Sequence, residues 1–413
     1  MTRRLSFAAV MLATLFMLAR EALADVVLDW NEIGLARAMA AKQLPPDAAR
    51  TMALMHVAMF DAVNAIERRY RHYAFEGSGD GAASPEAAGV AAAHATLLRL
   101  FPHQAEALDA AYASSMSRIP DGDAKAAGVA LGREAALRCL QARAEDGSGR
   151  PGTYKPRVQA GVYVATAQPV SSEWARVKPF IMNDAAQFRP PPPPPLDGEQ
   201  WSRDLHEIRA MGGRTSAGRS AEQTDVARFW AITGPASWNP LVRALAQARP
   251  SSLVDHARLF ALVNMAATDA FIAVFDAKYA FEFWRPVTAV RHGVDPVWLP
   301  LLDTPMHPEY PCAHCISAAA VAAVLEAHFG EGPIPTVTMT SPTAPGVTRS
   351  WSRIQDYVRE VSSARIWGGI HYRNSTDVGE QMGRRIGALA IQSQLASLAL
   401  ANRAAAPEGM SAR

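Results

Sequence analysis

The run LFALVNMAATDAFIAVF, residues 259–275, constrains this chain more than any other stretch. It is apolar for most of its length, yet it carries Asn264 and Asp269, which a lipid-facing span tolerates poorly. A buried helix explains it better than a membrane span. Helical periodicity recurs in AARTMALMHVAMFDAVNAIERRY (48–70), in SPEAAGVAAAHATLLRLF (84–101), and in AKAAGVALGREAALRCLQARA (124–144). In the second of these Ser84 is placed as a cap and Pro85 at the first helical position. The pattern resumes at 197–212, 220–233, 252–285, 312–329, 352–367 and about 376–400. Strand-like alternation is almost absent, so the expected fold class is all-α.

Two regions fall outside this pattern. Residues 1–24, MTRRLSFAAVMLATLFMLAREALA, have a basic start, a short apolar run and a small-x-small end at Ala22-Leu23-Ala24. That is the form of a secretory signal peptide cut after Ala24, so the mature chain is expected in the periplasm or outside the cell, without a membrane span. Its removal takes away three arginines and one glutamate and brings the formal charge from +2 to 0. Nothing in that balance suggests a nucleic-acid partner. From about 147 to 196 Gly, Pro and aromatic residues dominate, ending in six prolines at 190–195. This stretch reads as an extended crossing within one helical domain covering 25–413. A faint internal echo links HVAMFDAVNAIERRY (56–70) with MAATDAFIAVFDAKYAFEFW (265–284), each with an Ala-rich face before a Phe-Asp-Ala and then a basic residue. Two related helical bundles would produce it, and so would chance.

Three clusters carry candidate chemistry. In KYAFEFWRP, Lys278 and Arg285 stand two helical turns apart, so both cations are expected on one face, with Pro286 limiting the helix. Phe281, Phe283 and Trp284 make the surroundings apolar, where unpaired cations are costly and an anionic partner becomes plausible. In HPEYPCAHCISAAAVAAVLEAHFG, Pro311 suits the first turn of a helix whose free amides lie around 312–315. Such an end binds phosphate-like anions, and the positive end of the dipole disfavours the cationic form of His314. In ARIWGGIHYRNSTD, Gly368-Gly369 lets the chain break between Arg365 and His371, so that both can face one cavity.

In this order, Lys278, Arg285-Pro286, Pro311-x-x-His314 and Arg365-x5-His371 resemble the signature of the phosphatidic acid phosphatase/vanadium-dependent haloperoxidase superfamily. The family pattern is Lys-x6-Arg-Pro, Pro-Ser-Gly-His and Ser-Arg-x5-His-x3-Asp. Flanking text such as VVLDWN (26–31) and HPEYP is similar to the secreted bacterial haloperoxidase-like branch. The resemblance implies helical bundles of the vanadium chloroperoxidase/acid phosphatase type around an oxyanion site in 278–377. Lys278, Arg285 and Arg365 would neutralise the oxygens of vanadate or of a phosphoryl group. His371 would bond the vanadium or attack phosphorus, His314 would be the acid–base group, and Cys312 and Ala313 would lie against the oxyanion.

The implied function is a haloperoxidase, with vanadate activating hydrogen peroxide towards halide. The alternatives are a periplasmic acid phosphatase acting on phosphomonoesters through a phosphohistidine, with no cofactor, and a protein that only binds phosphate or vanadate. His307 stands where chloroperoxidases of the family carry Phe and algal bromoperoxidases carry His, which implies a preference for bromide or iodide.

The departures from the pattern matter too. Cys312-Ala313 replaces Ser-Gly, Ala364 replaces the Ser before Arg365, and Ser375 occupies the Asp position. In the phosphatase branch that Asp orients the nucleophilic histidine, so its loss weakens the phosphatase reading; Asp377 is two residues late and substitutes only if the turn differs. A thiol at Cys312 would be a poorer donor to the oxyanion than serine. It has Cys315 close enough for a bridge, and both a bridge and two separate buried thiols are open. A thioredoxin-like role for Cys312-Ala-His-Cys315 lacks its βαβ context, Ile316 excludes a c-type haem, and a zinc ion would meet Lys278 and the two arginines.

Overall fold

The computed structural model describes residues 25–77, 79, 81–393 and 395–398, and the leader read in residues 1–24 lies outside them. Among the described residues the chain forms thirteen α-helices, three short 3₁₀ turns and one two-stranded hairpin. The helices build two groups. In the first, Pro45–Glu67 is buried along most of its length and packs against Val26–Ala40, Pro85–Leu100 and Asp123–Ala142. In the second, Leu253–Phe281 packs against Ala313–Phe329 and Arg373–Ser393, with Ile354–Trp367 alongside. The two long helices, Pro45–Glu67 and Leu253–Phe281, also pack on each other and join the groups into one core. The 253–281 helix is apolar enough to cross a membrane, but its most apolar window is wholly buried inside the molecule.

Small residues make this packing possible. A Cβ on Gly132 would stand 2.2 Å from the Ala88 carbonyl oxygen, and one on Gly383 would stand 2.2 Å from that of Ile316. Each pair of helices therefore meets backbone to backbone, with alanines filling the seam. Polar groups bind the connections to the core. Asp61 accepts the amides of Tyr73, Ala74 and Phe75 at 2.8–3.0 Å, and Asp269 accepts those of Phe180, Ile181 and Met182 at 2.7–2.8 Å. The segment from 143 to 198 forms no α-helix, only a 3₁₀ turn at Ser172–Arg176, and Asp269 draws it across the second group.

Several sequence expectations are corrected. The echo aligned Asp61 with Asp276, but the residue with the same task is Asp269; Asp276 instead pairs with Arg189 at 2.6 Å near the surface. The helix expected over 252–285 ends at Phe281, where Glu282 turns left-handed with φ 49°, and Pro286 opens a separate helix, Pro286–Gly293. Arg285 is thus the N-cap residue of the next helix and not a partner of Lys278 on one face. Pro311 precedes the helix, whose N-cap is Cys312, and the Tyr310–Pro311 bond is cis. The hairpin pairing Val337–Thr340 with Thr348–Trp351 was not expected. Four residues of alternation give too short a period to read.

Candidate active site

The break at Glu282 is what brings Lys278 and Arg285 to the N-terminus of the Ala313–Phe329 helix, and the break after Trp367, where Gly369 adopts φ 74°, brings His371 to the same place. Lys278, Arg285, Arg365 and His371 are all within 1% of full burial. His314, in the helix's first turn, is partly exposed, and its first-turn amides precede the helix's own hydrogen-bond ladder. An open cleft, with about 580 Å³ of empty space counting its solvent-filled mouth, reaches His307, His314, His371 and Ala313 between walls that include Pro46, Phe271 and Phe275. The cations stand behind these histidines.

Arg285 organises one side. Its Nε and Nη1 donate to the carbonyls of His307 (3.0 Å) and Ile370 (2.8 Å), Nη1 also approaches His371 Nε2 at 3.3 Å, and Nη2 approaches His307 Nδ1 at 3.0 Å. A guanidinium can only donate, so His371 Nε2 presents its lone pair to it, whereas His307 Nδ1 is also 3.2 Å from the Pro308 carbonyl. On the other side Arg365 Nη2 donates to the Trp230 carbonyl, and Arg365 Nε is buried without a partner among the described residues. His314 Nε2 lies 3.0 Å from the Ile232 carbonyl, which can only accept. Arg365 Nη1, a donor, is farther from the same atom at 3.5 Å, so the shorter carbonyl contact places the proton on Nε2 and leaves Nδ1 as the atom free to gain one. Lys278 uses its three donors on the carbonyls of Pro308, Glu309 and Pro311 at 2.5–3.0 Å. As the site stands it anchors the loop before the helix and contributes charge, not a hydrogen bond, to an anion.

Burial dominates the electrostatics. It holds Lys278, His307, His314 and His371 well below their ordinary pKa values, with neighbouring cations adding to the effect. Burial also lowers Arg285 to about 10 and Arg365 to about 9. The direction anticipated for His314 is present, but its first cause is burial and its second Arg365. Three buried cations face one buried carboxylate, Glu309, whose own pKa burial raises to about 7. Such an excess of positive charge is costly unless an anion completes it. The unpartnered Arg365 Nε points to the same deficit, so a tetrahedral oxyanion fits these residues.

Two sequence expectations change here. Cys312 and Cys315 form a disulfide, so Cys312 carries no thiol proton and cannot donate to an oxyanion; its sulfur instead accepts the Cys315 amide at 3.1 Å and caps the helix. Asp377 is exposed and does not replace the missing aspartate. Glu309 was missed as a site residue: its Oε1 lies 2.7 Å from His371 Nδ1 and accepts the Tyr372 amide at 3.1 Å. It lies in HPEYP, five residues before His314 in a segment whose spacing matches no catalytic pattern, so the sequence offered no direct signal for it.

The comparisons with known proteins agree with this arrangement. Residues 258–398 match the model of the VCPO second helical-bundle domain. The vanadium chloroperoxidase of Curvularia inaequalis is 35% identical over an aligned 155 positions, which take in 29% of this chain and only 25% of that protein's length. A bacterial vanadium-dependent iodoperoxidase superposes with TM-score 0.79 at 25% identity, covering 90% of this chain and 97% of its own. The holo form of a bacterial vanadium-dependent chloroperoxidase superposes with TM-score 0.65 at 19% identity, covering 84% and 92%, a likeness of fold. From the matched second bundle, the near full-length superposition and the signature residues gathered at one helix end, the chain belongs to the phosphatidic acid phosphatase/vanadium-dependent haloperoxidase superfamily.

Proposed function

We propose that this protein is a vanadium-dependent haloperoxidase, exported to the periplasm or beyond by the leader in residues 1–24. The observation that carries the reading is the excess of buried positive charge around His314 and His371 at the end of an open cleft. Lys278, Arg285 and Arg365 would hold vanadate by charge, with His371 Nε2 as its protein ligand and the first-turn amides beside it. Bound there, vanadate acts as a Lewis acid that makes hydrogen peroxide electrophilic towards halide. The chain's residues supply the rest. His314, neutral in its ordinary state here, takes a proton on Nδ1 as peroxide enters and returns it to the leaving oxygen. Arg365 and Arg285 stabilise the charge that develops, and the apolar cleft walls keep bulk water from screening them.

His307 belongs to the same reading. It lines the cleft, and its Nδ1 lies between Arg285 Nη2 at 3.0 Å and the Pro308 carbonyl at 3.2 Å. A polar imidazole at that point favours bromide or iodide over chloride. One observation favours a second reading, acid phosphatase: Glu309 supplies the carboxylate against the nucleophilic histidine that the missing aspartate had put in doubt. Pure protein given vanadate, peroxide and bromide with a halogen-accepting dye, and separately an aryl phosphate, decides between them. Phosphate release without halogenation rejects the haloperoxidase, and equal turnover of chloride and bromide rejects the role of His307.

A further inference from the structure

Glu309 is held with unusual completeness. Its amide donates to the Phe283 carbonyl at 2.9 Å, and its own carbonyl accepts Lys278 Nζ at 2.7 Å, so its backbone is fixed from both sides. Its side chain is fully buried, with no lysine or arginine in hydrogen-bond contact. Oε1 meets the His371 ring and the Tyr372 amide, the Ser375 hydroxyl also hydrogen-bonds the carboxylate, and Oε2 is buried with no partner in hydrogen-bond geometry among the described residues. A carboxylate kept for stability alone would be expected to pair with a neighbouring guanidinium or ammonium. The other polar group near His371 Nδ1, the Ser375 hydroxyl, is at 3.4 Å, too long to orient the ring as firmly.

We propose that Glu309 is the positioning residue for His371: its carboxylate holds the imidazole in the Nδ1–H tautomer and leaves Nε2 with a lone pair that faces Arg285 Nη1 at 3.3 Å here and passes from that long contact to the oxyanion centre when it binds. The Arg285 end carries this assignment. Arg285 Nη1 can only donate to Nε2, so the proton of the neutral ring is on Nδ1, where the Glu309 carboxylate Oε1 accepts it. The nearby negative charge also makes Nε2 a stronger donor of its lone pair, as carboxylates behind ligating histidines do. Glu309 reaches the ring from the loop before the Ala313–Phe329 helix, 62 residues earlier in the chain, whereas Ser375 sits only four residues after His371, in the first turn of the Arg373–Ser393 helix.

This inference rests on His371 being the residue that engages the oxyanion, but not on halide chemistry, and its test separates the two. Full-length protein labelled with ¹⁵N-histidine, with His371 assigned by comparison with His371→Ala, is expected to show a protonated Nδ1 and an unprotonated Nε2. In Glu309→Ala the tautomer should shift towards Nε2–H, and affinity for inorganic vanadate and for phosphate, measured by titration calorimetry, should fall about 10–100-fold. Glu309→Gln keeps a carbonyl acceptor without the charge, so it should retain the Nδ1–H tautomer while losing several-fold in affinity. It carries the test if the alanine variant fails to fold. Folded variants with the wild-type tautomer and affinities within twofold of wild type would overturn the proposal. A wild type that shows the Nδ1–H tautomer and binds phosphate, yet oxidises no halide, would reject the haloperoxidase reading and leave this one standing.

Discussion

The two helical groups of this molecule run the same packing with different chemistry. In the first, the Ser84 amide donates to the Ala124 carbonyl at 2.9 Å and Gly128 and Gly132 press on the backbone at Ser84 and Ala88. In the second, the Cys312 amide donates to the Ser375 carbonyl at 3.1 Å and Gly379 and Gly383 press on Cys312 and Ile316. Ser84 and Cys312 are the N-caps of corresponding helices, each accepting an amide three residues on. Asp61 and Asp269 clamp a connecting segment in each group. Yet the helix that begins Ala313-His314 in one group begins Pro85-Glu86 in the other, and Glu86 accepts the Ser84 hydroxyl where an oxyanion would have to lie. The comparison teaches that glycines, alanines and one aspartate suffice for the scaffold. The anion site is added by the cations and histidines that only the second group brings to its helix end.

The sharpest way to test that division is to remove the added residues. His371→Ala should abolish halide oxidation, and Arg365→Ala should cost roughly 2–4 kcal/mol of transition-state stabilisation, read as kcat/KM with the fold checked by circular dichroism. Glu86→His in the first group should create no vanadate binding in a protein whose His314 is also removed. Gain of binding there would show that a helix end and a histidine are enough, and the distinction between the groups would fail.

The scaffold, by contrast, should respond alike in both groups. Gly132→Ala and Gly383→Ala each force a Cβ onto a backbone carbonyl and should each destabilise the fold by about 3 kcal/mol in urea unfolding. Only Gly383→Ala should also lower activity per folded molecule, because it moves the helix that starts at Cys312. Equal loss of specific activity in both would contradict a site confined to the second group.

The paired aspartates offer a finer comparison through pH. Burial raises both Asp61 and Asp269 to about 6, against the pull of three amides each. An unfolded aspartate releases its proton near 4, so between about pH 4 and 6 the folded state holds more protons. Stability contributed by these groups is therefore present at the acid end and declines as pH rises through that window. Asp61→Asn and Asp269→Asn should each remove part of that slope and, because an amide cannot accept three N–H groups, cost roughly 2 kcal/mol near neutrality. A slope unchanged in either variant would show that its carboxyl does not titrate there.

The smallest effect is expected at the caps. Cys312→Ser breaks the disulfide but installs the cap that Ser84 already provides in the first group, so thermal unfolding should shift by no more than about 1 kcal/mol. Oxyanion affinity should be equal or higher, since a hydroxyl can donate and a disulfide sulfur cannot. Loss of activity in this variant would instead indicate a redox role for the pair.

Much of this molecule was legible in the sequence for definite reasons. Helical periodicity holds over long segments, so most helices were read close to their observed bounds. The family signature supplied Lys278, Arg285, His314, Arg365 and His371 by spacing alone, and these five do converge on one helix end. Spacing failed where the backbone departs from regular geometry. Lys278 and Arg285 looked like one helical face, yet Glu282 in a left-handed conformation puts them on different elements. The aspartate clamp had no signal in the text: the Phe-Asp-Ala echo aligns Asp61 with Asp276, while the hydrogen bonds select Asp269.

The sequence by itself determined that this chain folds as helices around a buried apolar core and carries cations and histidines in an order suited to an oxyanion. Those properties depend on residue type and local period. Tertiary structure alone decided that Lys278 anchors a loop, that Cys312 is a bridged cap and not a donor, and that Glu309 stands behind His371. Each of these depends on which carbonyl, sulfur or carboxylate lies within about 3 Å of a given donor, and contacts between residues this far apart in sequence are set by the packing of helices that only the folded chain brings together.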